Sequence, residues 1–388
     1  MPGLSGKAYI DGLLFRPSIA EARAYYSHPD VLNELLEGMR LWHVRFEPEN
    51  GARHRWFNVS DPVQISDALL RALDRMSHSR PLFPYMRIDG RRFQPVDSWE
   101  PGDMWGRDLV LEKDGPSWRY CWDAMLPVLR MLDRLGVHYW MKYTGHHSLH
   151  VVVPAEGFPR VTPGLPLAEI FGNLAWRIIA FLDVACYQPV TDGGFGGGSA
   201  GTNMPFTLNE HSGLLNYPVL ATEMGGFRPE HACISAARVR SFWREFPALK
   251  RASAAKLLAA SVADISQTDL PDEFSLVVGP PSTFDDTVRS LSSRHWEERR
   301  MAVRQAPWFR SCEAGDLVIR SLNDPNRNVR KAAVKALVGV DHPHEKQALQ
   351  KIVEGAELHI SDWARRVLEV KRDIGLVRQA IEHGLLTS

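Results

Sequence analysis

The sequence predicts an α+β body followed by an all-α C-terminal region, and two observations carry this. Between Ala20 and about Glu245, short apolar runs of strand character alternate with stretches whose apolar residues recur at helical spacing. Beyond Arg289 the strand-like runs stop and a helical pattern recurs at an offset of 31 residues. A chain of 388 residues with 44% apolar content buries a large core and has room for two or three domains. The division expected is a body at 1–250, a linker at 251–288 and a repeat domain at 289–388.

The first element is a helical stretch from Ala20 to Arg40, with Ala24, Tyr25, Leu32, Leu35, Leu36 and Met39 on its apolar face and a break at Pro29. Strands follow at Leu41–Phe46 and Arg53–Val59, joined by the turn signal Glu47-Pro-Glu-Asn-Gly. Ser60-Asp-Pro opens a helix that runs to about Met76, because these residues suit a helix start. Arg87 to Gln94 reads as a loop or short strand carrying Arg87, Arg91 and Arg92. Those three arginines either track a nucleic-acid backbone or are simply solvated.

The central stretch holds the main candidate chemistry. Leu109-Val110-Leu111-Glu112-Lys113-Asp114 reads as a strand ending at a Gly-Pro break. Side chains two apart share a strand face, so Glu112 and Asp114 form a carboxylate pair while Lys113 faces away. Such a pair either solvates a strand end or holds a hard divalent cation such as Mg²⁺ or Mn²⁺. A helix with Met125, Leu126, Leu129, Leu132 and Leu135 at helical spacing comes next, then a strand at Val137–Met141. Tyr143-Thr144-Gly145-His146-His147-Ser148-Leu149-His150 then turns the chain into a further strand through Val153. That turn is either a plain hairpin with surface histidines or a place where backbone N–H groups and an imidazole meet an anion.

After a Pro- and Gly-rich loop, Leu167–Cys186 reads as a helix expected to pack on the sheet. The Gly-rich run Gly193–Gly201 lacks the G-K-[ST] of a P-loop, which leaves a flexible loop or an anion nest. A strand at Leu214–Leu220, a helix at Ala232–Phe246 and another at Ser253–Ala263 complete the reading of the body and linker. Arg53, His54 and Arg55 on their strand either line a phosphate-binding surface or form a solvated face.

The order of these elements and their motifs resembles the small catalytic subunit of the archaeo-eukaryotic primases. That family carries [DE]-L-x-F-D-x-D behind a Trp and a Gly; here Trp105 and Gly106 precede Asp108-Leu-x-Leu-Glu112-x-Asp114. Its S-G-x-x-G-x-H motif is matched by Thr144-Gly145-x-x-Ser148-x-His150. Arg53-His54 match its second N-terminal strand, and Pro205 to Gly213 match a later phosphate-contacting motif. In that later motif Asn209 stands where the family has His, and His211 where it has Lys. Aligned on Pro189-Val190-Thr191, the position of the family's third metal-binding Asp is Tyr187; Asp192 is the nearest substitute and Asp183 a more distant one.

The resemblance implies a primase small-subunit-like body with an RRM-like antiparallel sheet and flanking helices. It implies template-directed nucleotidyl transfer with Mg²⁺ or Mn²⁺ held by Glu112 and Asp114, and with Asp192 as a third catalytic carboxylate. Thr144, Gly145, His150, Arg53, His54 and His211 would bind the nucleotide. Its partners would be a DNA or RNA template, nucleoside triphosphates and a primase large subunit. A degenerate binding module and a metal-dependent phosphoesterase are the competing readings.

Glu297–Val303, Asn326–Val334 and Ser361–Val370 form the recurring pattern, and Leu322-Asn-Asp-Pro with Val329-Arg330-x-Ala-Ala-x-x-Ala336-Leu337 resembles a HEAT repeat. Two-helix repeats bury their apolar faces only by stacking, so a short solenoid is expected. Its polar ridge of Arg299, Arg300, Arg330, Lys331, Arg365 and Arg366 suits a protein partner, a phosphate backbone or a structural cap.

Net charge is zero, which excludes a global field drawing the chain to nucleic acid or anionic membrane. It is unevenly spread: 289–388 holds 18 Lys and Arg against 13 Asp and Glu. Four scattered cysteines without C-x-x-C spacing point to neither a disulfide scaffold nor a zinc ribbon; His211, His231 and Cys233 make a sparser metal set. No leader pattern or membrane-length apolar run is present in the sequence, so a cytoplasmic protein is expected.

Overall fold

The computed structural model describes residues 17–41, 43–47, 55–57, 62–74, 83, 85–89, 91–93, 104–161, 167–187, 202–220, 223, 225–234, 239, 253–263, 282–355 and 357–387. They fall in two compact units that alternate along the chain. The first draws on 1–126, 138–157 and 191–250, and the second on 127–137, 158–190 and 251–388.

The first unit opens with helices α1 (Ile19–Tyr26) and α2 (Pro29–Leu41), and the chain breaks between them at the expected proline. Ser18 caps α1 in a reciprocal box with Glu21, satisfying two backbone N–H groups that the first turn leaves open. Strands β1 (His43–Glu47) and β2 (Arg55–Phe57) pair antiparallel, and α3 (Pro62–Asp74) packs on α1 and α2. The arginine-rich segment forms strands β3 (Tyr85–Asp89) and β4 (Arg91–Phe93). Strand β5 (Met104–Arg107), which the sequence reading did not anticipate, pairs with β4.

Strand β6 (Leu109–Asp114) leads into helix α4 (Trp118–Arg134). Strand β7 (Trp140–Tyr143) begins beyond the predicted Val137, because residues 137–139 leave the helix without pairing, and β8 (Ser148–Val153) follows. Later come β10 (Thr202–Asn203) and β11 (Tyr217–Val219). The strands make two antiparallel four-stranded sheets, ordered β10-β3-β1-β2 and β11-β7-β8-β6. The predicted helix from Ala232 lies mostly outside the described residues; its first residue ends a short 3₁₀ turn at Pro229–Ala232.

One face of the second sheet is apolar. Leu109, Leu111, Met141, Tyr143, Leu149, Val151 and Val153 are buried there, and Trp118 meets Tyr143 edge-on at 5.5 Å and Phe227 at 4.7 Å. Helix α1 fixes the 204–216 segment: the Tyr25 hydroxyl donates to Phe206 O, and Leu208 N–H donates to the Tyr26 hydroxyl, both at 2.9 Å.

Among the described residues the second unit is helical apart from the short pair β9 (Arg160–Val161) with β12 (Leu386–Thr387). Its helices are α5 (Leu167–Ala185), α6 (Ala255–Val262), α7 (Phe284–Leu291), α8 (Trp296–Gln305), α9 (Cys312–Ser321), α10 (Arg327–Ala336), α11 (Glu345–Glu354) and α12 (Leu358–Glu382). Helices α8, α10 and α12 start 31 residues apart, matching the sequence period, and α10 packs on both of the others. Helix α5 packs on α6 and α12.

Arg177 on α5 explains why this helix sits among helix ends. The residue is fully buried, and its guanidinium donates to the carbonyls of Ser261 (2.6 Å), Ala263 (3.0 Å) and Val338 (2.6 Å) and to Asp341 (2.5 Å). Helix C-termini leave carbonyls unpaired, and a planar five-donor group is suited to collect them. Asp341 also meets Lys371 and Arg378, each at 3.1 Å. Burial raises the Asp341 pKa, but the Arg177, Lys371 and Arg378 charges outweigh it and hold the carboxyl below the ordinary range.

Arg177→Met would leave three carbonyls without their donor and take from Asp341 one of its three cations, so a loss of about 3–5 kcal/mol of stability is expected in urea unfolding. Since the folded pKa of Asp341 is depressed, its contribution is present above the unfolded carboxylate value of about 3.9 and lost as pH falls through the lower folded value. The stability gap between the native chain and Asp341→Asn should therefore shrink as urea titrations move from pH 5 toward pH 3.

Candidate functional site

The polar face of the second sheet carries the candidate site. Register sets Glu112 of β6 opposite His150 of β8, Lys142 of β7 opposite the same histidine, and Asp114 opposite Ser148. Directly opposed residues share a face, so carboxylate, imidazole and ammonium form one row across three strands. Along β6 the buried residues Leu109, Leu111 and Lys113 alternate with the more open Val110, Glu112 and Asp114, as the period of two requires. The expected common face of Glu112 and Asp114 is thus present.

His150 links two strands and a third segment. Its Nε2 lies 3.1 Å from Glu112 Oε1, and its Nδ1 lies 2.6 Å from Thr202 Oγ1 on β10. Burial lowers the His150 pKa, reinforced by Lys142 and opposed by the Glu112 hydrogen bond and the charges of Glu112 and Asp114. The neutral ring is therefore favoured. A carboxylate accepts only, so Nε2–H donates to Glu112, and Nδ1 accepts from the Thr202 hydroxyl.

Lys142 is fully buried, and its ammonium donates to the Asn203 carbonyl on β10. Ser148 donates to Asp114. Glu112 retains 38% side-chain exposure against 10% for His150, so the carboxylate is the accessible end of the row. Sequence reasoning missed Lys142, Thr202 and the link from Ser148 to Asp114. For Lys142 a signal existed: a lone charge in the apolar run Tyr139-Trp140-Met141-Lys142-Tyr143. Two-residue β10 lies directly after the Gly-rich run and carries no strand pattern, so Thr202 had none.

The turn from Thr144 to Ser148 is built tightly. Thr144 N–H donates to Ser148 O at 3.1 Å, and Ser148 N–H reaches the Thr144 hydroxyl at 3.3 Å. Gly145 has φ +75°, and a Cβ there would stand 2.7 Å from Leu214 O and 2.8 Å from Asn209 Cβ. Asn209 explains the closeness: its amide donates to Thr144 O at 2.9 Å while its oxygen accepts from the N–H groups of His211 and Ser212. Ser212 donates to Gly145 O. Thr144 and Gly145 are buried, so the turn presents His146 and His147 to the outside.

His211 joins these two histidines. The His146 ring lies 3.9 Å from His147 and 6.2 Å from His211, and His211 Nε2 is 3.2 Å from Glu210. Burial, then the charges of His147 and His211, bring His146 down to about 4. Tyr187 ends α5 with φ +50° in the second unit, its ring edge-on to Trp308 at 6.5 Å. Arg53, His54 and Asp192 lie outside the described residues. Nearby backbone register sets Arg45 opposite Arg87, and Arg87 opposite Asn203.

The hard oxygens of Glu112 and Asp114 fit a Mg²⁺ or Mn²⁺ that keeps several waters. Among the described residues no group of three His, Cys, Asp or Glu side chains is disposed to hold a metal ion, which includes His211, His231 and Cys233. Among them also, no helix is long and apolar enough to cross a membrane.

A family model of HEAT repeats matches residues 286–369, which covers α8 to α11 and the first half of α12. The C-terminal region is thus a HEAT-like array. No curated protein matches the chain.

Gly145→Ala should lower stability by at least about 1–3 kcal/mol, because a left-handed backbone and a filled contact both oppose the added carbon. Thermal unfolding of the variant checks this. In an NMR titration, the His146 ring should show its midpoint at about pH 4 rather than in the ordinary imidazole range. A His146→Gln spectrum assigns the resonance.

Proposed function

We propose that the first unit is a primase small-subunit-like body that performs divalent-metal-dependent, template-directed nucleotidyl transfer. The observation that supports this best is the row across the sheet, with Glu112 opposite His150 and Asp114 opposite Ser148. It joins the two motifs on which the family resemblance rests, 34 to 38 residues apart in sequence.

In this reading Glu112 and Asp114 hold Mg²⁺ or Mn²⁺, which stabilises charge during in-line attack of a 3′ oxygen on an α-phosphate. Neutral His150 keeps one Glu112 oxygen oriented by a directed hydrogen bond, as groups beside a metal ligand commonly do. Buried Lys142 adds positive charge beneath the row, favouring a phosphate approaching it. Thr144 fixes the turn through Ser148 and Gly145 through its left-handed backbone, and both would help hold the nucleotide. DNA or RNA template and nucleoside triphosphates are the partners this reading requires. The HEAT-like array would dock a further protein, such as a large subunit.

A second reading has the body hold nucleotide or nucleic acid without polymerising it. Two observations favour it: Tyr187 packs on Trp308 at the position where a third carboxylate was sought, and Asn209 is committed to the Thr144 turn.

Labelled NTPs and dNTPs on single-stranded and primed DNA, with Mg²⁺ or Mn²⁺, test the first reading. Incorporation is expected from the native chain, with a fall of about 10²-fold or more in Glu112→Ala/Asp114→Ala. No product from a folded chain that still binds nucleotide would overturn nucleotidyl transfer and leave the second reading.

A further inference from the structure

The HEAT-like array carries a charge pattern that the carboxylate row does not use. Three cations of the sequence-predicted ridge are neutralised within it. Asp324 holds Arg299 through both oxygens at 2.7 and 2.9 Å, Glu357 holds Arg330 at 2.6 Å, and Asp362 holds Arg365. The other three, Arg300, Lys331 and Arg366, group with Arg304 and Lys335, which the ridge prediction omitted.

Arg304, Lys335 and Arg366 occupy the same position in three successive repeats, 31 residues apart, on α8, α10 and α12. Arg300 and Lys331 stand one turn earlier on α8 and α10. Trp363 lies among them, stacked on Trp176 at 5.4 Å, with Lys335 Nζ 4.2 Å and Lys331 Nζ 5.5 Å from its ring centre. The Arg366 guanidinium sits 5.2 Å over Trp176. Among the described residues Arg300, Arg304 and Lys331 form no ion pair. Burial, then the charges of Lys331, Arg304 and Arg300, bring Lys335 down to about 8.

We propose that this stripe binds the phosphodiester backbone of a nucleic acid without reading its sequence. Packed helix axes lie about 8–10 Å apart, so three repeats spread the charge over roughly 16–20 Å. A polyanion spans that length, whereas the single phosphate of a modified peptide engages one end of it. The Trp363 ring is already engaged by Trp176 and the two lysines, so affinity comes from charge rather than from base stacking. The proposal stands apart from the chemistry of the carboxylate row.

The test is fluorescence anisotropy of the full chain with a labelled mixed-sequence DNA of roughly 20 nucleotides, single-stranded and duplex, from about 50 to about 200 mM salt. Lys331→Glu/Arg366→Glu should weaken binding about tenfold or more and reduce the salt slope by about one to two. Arg304→Gln/Lys335→Gln, checked for fold by circular dichroism, should act in the same direction. Arg289→Glu/Arg320→Glu makes the same charge change on α7 and α9 and should leave the slope unaltered. Unchanged affinity and slope in both stripe variants would overturn the proposal. So would an absence of salt-dependent DNA binding, or capture only by phosphatidylserine vesicles or a phosphopeptide.

Discussion

The buried guanidinium of Arg177 is the constraint on which the second unit depends. A charge with no exposure has to find every acceptor it needs inside the protein, and Arg177 finds them on three separate segments. The carbonyls of Ser261 and Ala263 close α6, Val338 O follows α10, and Asp341 stands ahead of α11. Through Asp341 the same centre reaches Lys371 and Arg378 on α12. Apolar contacts allow helices to slide; four directed hydrogen bonds from a planar group do not. The packing of α5 among α6 and α12 follows from where those acceptors are.

The first unit solves a related problem on the face of a sheet. His150 and Lys142 are withdrawn from solvent on a sheet face, and β10, two residues long, supplies Thr202 and the Asn203 carbonyl to satisfy them. Their burial leaves Glu112 as the open end of the row. The arrangement sets an accessible carboxylate beside a buried ammonium. That combination suits a cation and an anionic ligand bound together.

Legibility in the sequence followed the range of the interaction concerned. The face shared by Glu112 and Asp114 was readable because it depends on a period of two along one strand. The break at Pro29 and the 31-residue repeat were readable for the same local reason. The placement of α5 was not, since nothing in Leu167–Ala185 says where carbonyls from residues 261 and 338 will stand. Thr202 was hidden likewise: its contact with His150 crosses 52 residues and two sheets. Arginine pairing was half visible, in that Arg299 and Arg330 looked like ridge residues while their carboxylate partners lay 25 and 27 residues downstream. Asn209 read as the loss of a family histidine; its geometry gives it a structural task on the Thr144 turn.

Helix α12 spans 25 residues against 10 for α8 and α10, its repeat counterparts. Its first half continues the period, and its second half carries Lys371, Asp373 and Arg378 to Asp341, Asn173 and the end of α6. One helix thus belongs to two layers at once. A substitution in its first half acts on the repeat period, whereas one at Lys371 or Arg378 acts on the junction of α12 with Asp341 and the end of α6.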